Sequence, residues 1–175
     1  MAQSGVIPIS VTGTNSISGQ IVWSETATNT NNNTSTVTAK LVYTCNGGAT
    51  TGGGRSSFTI TINGVTSTYT GEFSISPGTS KEVFGGTYGS VVSQLITHNN
   101  DGTKSITISG GGYVEYYDTT SKTWKKTAGL SASSGSGTVA LTTLARQSKW
   151  ASNSAITVAS AAAFNVDLNV NVYAN

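Results

Sequence analysis

The sequence predicts an all-β chain: an antiparallel β-sandwich, immunoglobulin-like or jelly-roll-like, with a C-terminal extension strand. Three observations predict it. Apolar residues recur at every second position in short bursts. Turn-forming clusters such as Asn63-Gly64, Pro77-Gly78 and Asp101-Gly102 separate the bursts. No segment of helical length carries a 3.6-residue apolar stripe, so no crossover helix is available for a parallel sheet.

Residues 1–15 read as an N-terminal arm, 16–148 as the sandwich domain, and 149–175 as a connector and strand. Ile17, Gly19, Ile21 and Trp23 share one face of a first strand, and the polar run Thr28–Thr34 is a loop. Val37, Ala39, Leu41, Tyr43 and Cys45 alternate with polar residues in a half-buried strand, so the lone Cys45 is expected to be a buried thiol. Gly47-Gly48 and Gly52-Gly53-Gly54 bracket a flexible connection. Phe58, Ile60 and Ile62 alternate before Asn63-Gly64, and Tyr69, Gly71, Phe73 and Ile75 after it. Asn-Gly favours a type I′ hairpin because both central residues need positive φ. Further strands are expected over 88–97, at Ile106 and Ile108, at 113–117, near Trp124, and at Val139–Leu144. Ile21, Trp23, Leu41, Tyr43, Phe58, Ile60, Ile62, Phe73 and Ile106 are the expected core.

Phe164, Val166, Leu168, Val170 and Val172 alternate with Asn165, Asp167, Asn169 and Asn171. This one-sided strand follows the small-residue stretch Ala159–Ala163. It either joins the same sandwich or docks on a neighbouring subunit.

Hydrophobic residues make up 36% of the chain and charged residues 9%. Thr, Ser, Asn and Gly take the place of charge, as suits strands with a hydroxyl-rich outer face. The net charge of +2 is scattered and gives no footprint for nucleic acid. No apolar run is long enough for a membrane helix, and residues 1–15 lack the pattern of a signal peptide.

Chemistry-bearing constellations are sparse. His98 is the single histidine and lies in an expected turn, where a capping role is more natural than a Ser-His-Asp arrangement. No ligand spacing points to a metal, no phosphate-binding loop is present, and no cofactor is expected. Gly135-Ser136-Gly137 reads as a linker. The residues therefore point away from an enzyme. Tyr113, Tyr116, Tyr117 and Trp124 gather around a polar turn. Such aromatics fill cores and edges, contact other subunits, or stack on sugar rings. They are the candidate glycan or subunit contacts.

Asn31–Leu41 resembles the opening signature of a β-sandwich domain found in siphophage minor structural and tail-associated proteins. Phe58–Gly64 is similar to that family's Ile-x-Ile-x-Gly hairpin, and His98–Ile106 to its His-Asn-x-Asp-Gly-(Ser/Thr)-Lys segment. Val139–Arg146 resembles its closing Leu-Thr-x-(Ile/Leu)-Pro-Arg, with Ala145 where the family carries proline. The resemblance covers residues 16–148. It implies a virion subunit (tail-associated, fibre-associated or capsid-decorating), made in the host cytoplasm without a signal peptide. The implied partners are other virion proteins, further copies of itself, and a host-surface glycan. The aromatic cluster supports a second expectation, a carbohydrate- or cell-wall-binding module.

Overall fold

The computed structural model describes residues 3–13 and 16–145. They form ten strands: β1 (Ser4–Thr12), β2 (Ile17–Asn29), β3 (Thr34–Cys45), β4 (Thr51–Ile62), β5 (Val65–Ile75), β6 (Thr79–Val83), β7 (Val92–Thr97), β8 (Ser105–Asp118), β9 (Thr123–Lys126) and β10 (Ala132–Ala140). The order β5-β4-β8-β10-β1-β2-β3-β6 curls into a nearly closed barrel; β7 shares β3 with β6, and β9 shares β8 with β10. Every ladder between these strands is antiparallel. The all-β, antiparallel expectation holds.

Alternation sets what each strand buries. The inward row of β3 (Ser35, Val37, Ala39, Leu41, Tyr43 and Cys45) is buried throughout, while the residues between them are half-exposed. All nine residues expected in the core are buried. Burial of each such aliphatic or aromatic side chain contributes about 1.5–3 kcal/mol. At one end of the barrel the centroids of Tyr43, Phe58 and Phe73 lie 5.0–6.1 Å apart. The Tyr43 hydroxyl bonds Ser133 Oγ at 2.7 Å, joining β3 to β10 across the interior. Asn63 and Gly64 have φ of 49° and 85°, the two positive values that a type I′ turn requires.

Several segments differ from the sequence expectation. Residues 4–12, set apart as an arm, are β1. Ser4–Ile9 pair with β2, whereas Ser10–Thr12 pair with β10, so one strand joins both walls of the barrel. Gly135-Ser136-Gly137 is not a linker but the middle of β10. Its glycines face inward where β1 passes over them: a Cβ at Gly135 would stand 2.5 Å from the Pro8 carbonyl oxygen. Gly52-Gly53-Gly54 is likewise no flexible connection but the start of β4, bent by a bulge between Gly53 and Ser56. The strand expected over 88–97 begins at Val92, and β6 was not foreseen. The segment carrying Phe164, Val166, Leu168, Val170 and Val172 lies outside the described residues.

Candidate functional site

The outer face of β5, β4, β8 and β10 is an array of small hydroxylated residues. Ladder register aligns Ser57 with Tyr113, Thr59 with Gly111 and Thr61 with Ser109. On the other side of β8, Gly111 pairs with Ser134 and Ser109 with Ser136. Gly111 leaves the middle of this face without a side chain. The resulting shallow groove holds about 600 Å³ and is lined chiefly by Ser57, Thr59, Ser109, Gly111, Ser134 and Ser136. Its walls offer hydroxyl donors and acceptors, and no ionisable group other than the phenol of Tyr113 borders it.

The aromatics lie at and beyond one end of the groove. Tyr113 is at its rim, with the Lys126 ammonium 4.6 Å above the ring. Farther along the same face, Tyr117 pairs with Trp124, their centroids 5.5 Å apart and edge-to-face. Tyr117 is 48% exposed and Trp124 41%, so both keep open ring surface. The position of Gly54 lets Trp124 lie against β4, within 3.4 Å of where a Cβ would stand. Arg55 approaches the same indole at 6.0 Å and pairs with Glu115 at 3.4 Å. Tyr116 is separated from the rest. Alternation turns it to the opposite face of β8, opposite Lys125 in the ladder. Lys125 pairs with Asp118, and this ammonium, with the Ser121 and Thr120 N–H groups, holds the Asp118 carboxyl well below the usual carboxylate range. Structure thus gathers Tyr113, Tyr117 and Trp124 on one face and leaves Tyr116 out.

His98 is buried in the turn after β7. Its Nδ1 lies 2.9 Å from the Gly102 carbonyl oxygen, which only accepts, so Nδ1 donates. Nε2 lies 2.7 Å from Ser35 Oγ. Both ring nitrogens are used to fasten the turn, which is the capping role its sequence position suggests. Ser35 is 1% exposed and faces no opening. Asn33 Nδ2 donates to the carbonyls of His98 and Asn99 at 3.1 and 2.9 Å, stitching the Asn-rich turn to the same place. Asp101 accepts from Thr103 N and Oγ1 at 2.9 and 2.7 Å, an Asx turn rather than a calcium loop. Among the described residues no group of three or more His, Cys, Asp or Glu gathers as a metal site. Cys45 is buried, its Sγ 3.2 Å from the Gly47 carbonyl oxygen.

Sequence reasoning missed the groove and it missed Glu25. Glu25 continues the inward row of Ile21 and Trp23 and is only 2% exposed. Its carboxylate accepts the Gln3 and Thr142 N–H groups, each at 3.2 Å, and the Thr142 hydroxyl. Burial pushes its pKa up, but the bonds from Ser35, Thr142 and Gln3 outweigh that and leave it below the ordinary value. Strand parity was the available signal for Glu25. For the groove it was the run of Ser, Thr and Gly on the outward positions of three strands.

No family model, curated protein or solved structure matches this chain.

Proposed function

We propose that this chain is a structural subunit of a tailed-phage virion, tail-associated, fibre-associated or capsid-decorating, that makes contacts rather than performing catalysis. The observation that supports it is the Asn33 stitch. Two motifs of the phage resemblance, the Asn-rich turn and the His-Asn-x-Asp-Gly segment, meet in one hydrogen-bonded knot around the buried His98. In this chain they are parts of one scaffold. Within the same reading the barrel is a flattened sandwich, immunoglobulin-like or jelly-roll-like, with β1 as the shared corner. Immunogold electron microscopy of purified particles tests the proposal: labelling at one site on mature virions is expected, and label absent from them overturns it.

A second reading, a carbohydrate- or cell-wall-binding module, draws support from Tyr113, Tyr117 and Trp124 beside an uncharged hydroxyl-lined groove. Exposed aromatic faces stack on sugar rings while hydroxyls exchange hydrogen bonds with them. Trp124→Ala and Tyr117→Ala would then abolish retention on host cells. Equal retention of wild type and variants would remove this reading and leave the first intact.

A further inference from the structure

The aromatic end of the groove carries a charge that its own strands leave unanswered. Arg55, Lys125 and Lys126 are the cations of β4, β8 and β9. Arg55 Nε lies 3.4 Å from Glu115 Oε2, and Lys125 pairs with Asp118. Glu115 is also the ladder partner of Lys126, yet its carboxylate is turned to Arg55. Among the described residues Lys126 makes no ion pair. Its ammonium rests instead 4.6 Å above the Tyr113 ring. The quadrupole of a ring holds an ammonium in place without neutralising it. Lys126 is exposed, so this charge is open to a ligand.

The arrangement divides the aromatics by role. The ammonium covers a face of Tyr113, so this ring positions Lys126, while Tyr117 and Trp124 keep open surface for stacking. On the other side of Lys126 lies the hydroxyl-lined groove, whose Ser57, Thr59, Ser109, Ser134 and Ser136 carry no charge. β8 sets these parts in a line. From Tyr117 through Tyr113 to Ser109 it runs about 26 Å, at the usual rise of an extended strand. That length suits several linked sugar rings rather than one.

We infer that this face takes an acidic glycan: sugar rings stack on Tyr117 and Trp124, further rings lie in the groove, and a carboxylate or phosphate of the chain sits on Lys126 between them. The inference rests on the carbohydrate-binding reading and adds the charge class of its ligand. A neutral glycan satisfies the rings and the hydroxyls but leaves the ammonium without a counterion. An acidic one gains a charge-assisted hydrogen bond there. One uncompensated cation is too little for nucleic acid, which is held through many phosphate contacts.

Titration calorimetry on the full chain tests the inference with three probes. They are a hyaluronan hexasaccharide, the same hexasaccharide with its carboxyls reduced to alcohols, and a mannose oligosaccharide linked through phosphodiesters. At low salt at least one acidic probe is expected to bind about tenfold more tightly than the neutral one, and the better of the two identifies the acidic group. Lys126→Met keeps an unbranched side chain over Tyr113 but removes the charge. It should erase the preference and leave affinity for the neutral probe unchanged. Lys125→Met, on the opposite face beside Tyr116, should leave the preference intact. Trp124→Ala should weaken all three probes. Acidic probes that bind no better than the neutral one, a preference that survives Lys126→Met, or binding indifferent to Trp124→Ala would each overturn the inference. The first two results leave the carbohydrate reading standing. Absence of binding to every probe also overturns the inference, and the carbohydrate reading falls with it when retention on host cells is equally insensitive to Trp124→Ala.

Discussion

The two ends of the barrel are held by different physics. One end is a cluster of rings, Tyr43, Phe58, Phe73 and Tyr88, in which the fully buried phenol, Tyr43, is bonded to Ser133. At the other, Glu25, Ser35 and His98 take inward positions and are held by hydrogen bonds that tie Gln3, Thr142 and Gly102 together. Ring packing is non-directional and, below the alkaline range in which Tyr43 ionises, tolerant of pH. A buried carboxylate is neither: it fixes the positions of its donors but depends on its charge. The aromatic end supplies stability, and the polar end specifies where distant segments of the chain must meet.

Substitutions can break this contrast. The largest effect is expected for Phe58→Ala, which empties the centre of the ring cluster. It should cost about 3–5 kcal/mol by denaturant unfolding, nearly unchanged between mildly acidic and neutral pH. A loss that varied strongly with pH across that range would show that the ends are coupled.

Tyr43 probes the same end in alkali. Burial pushes its pKa up to about 12 despite the bond to Ser133, whereas the unfolded phenol ionises near 10. The unfolded chain therefore releases its proton first, and stability falls as pH rises from the lower value to the higher. The loss should reach roughly 2–3 kcal/mol. Tyr43→Phe removes this dependence; if alkaline unfolding of the variant matched wild type, another group would be responsible.

Glu25→Gln tests the polar end and should cost about 1–3 kcal/mol at neutral pH. Because the folded carboxyl sits below its ordinary value of 4.5, the unfolded chain takes up the proton first. The contribution of Glu25 is complete above that value and is lost as pH falls through the folded one. Wild type and variant should therefore converge in acid, and parallel stability curves would contradict the role assigned to the charge.

The smallest effect is expected for Gly64→Ala, in the hairpin whose Asn63 N–H donates to Thr107. No atom lies near the added methyl, so the cost is backbone strain at positive φ, about 1 kcal/mol. A loss several times larger would mean that this turn organises the strands beyond its own geometry.

Legibility in the sequence followed how strongly each segment commits to one face. β3 alternates large apolar with polar residues, and its burial, like the Asn63-Gly64 turn, was readable from that pattern alone. β10 alternates too, but between Gly and Ser, where hydropathy carries no contrast; it read as a linker. The inward side of β10 is small because β1 lies across it, a reason that exists only in three dimensions. The groove was hidden for the same cause, since its character comes from three strands side by side and from the missing side chain at Gly111. The aromatic group was readable as a cluster but not as a surface: counting residues could not say that Tyr116 points away from Tyr117 and Trp124 until β9 was paired with β8.

β1 carries a consequence for how the chain is made. Its first half bonds β2, a near neighbour in sequence, but Thr12 finds its partner only at Ala132. A ribosome delivers the two partners far apart in time. While β2 can zip against β1, and β3 against β2, early, the end of β1 must wait for nearly the whole barrel to emerge before its remaining backbone groups are satisfied. Loop closure over such a separation is slow relative to hairpin formation. The docking of β10 onto β1 is thus the latch of the synthesis: until it falls, the nascent barrel is an open sheet with an unguarded edge.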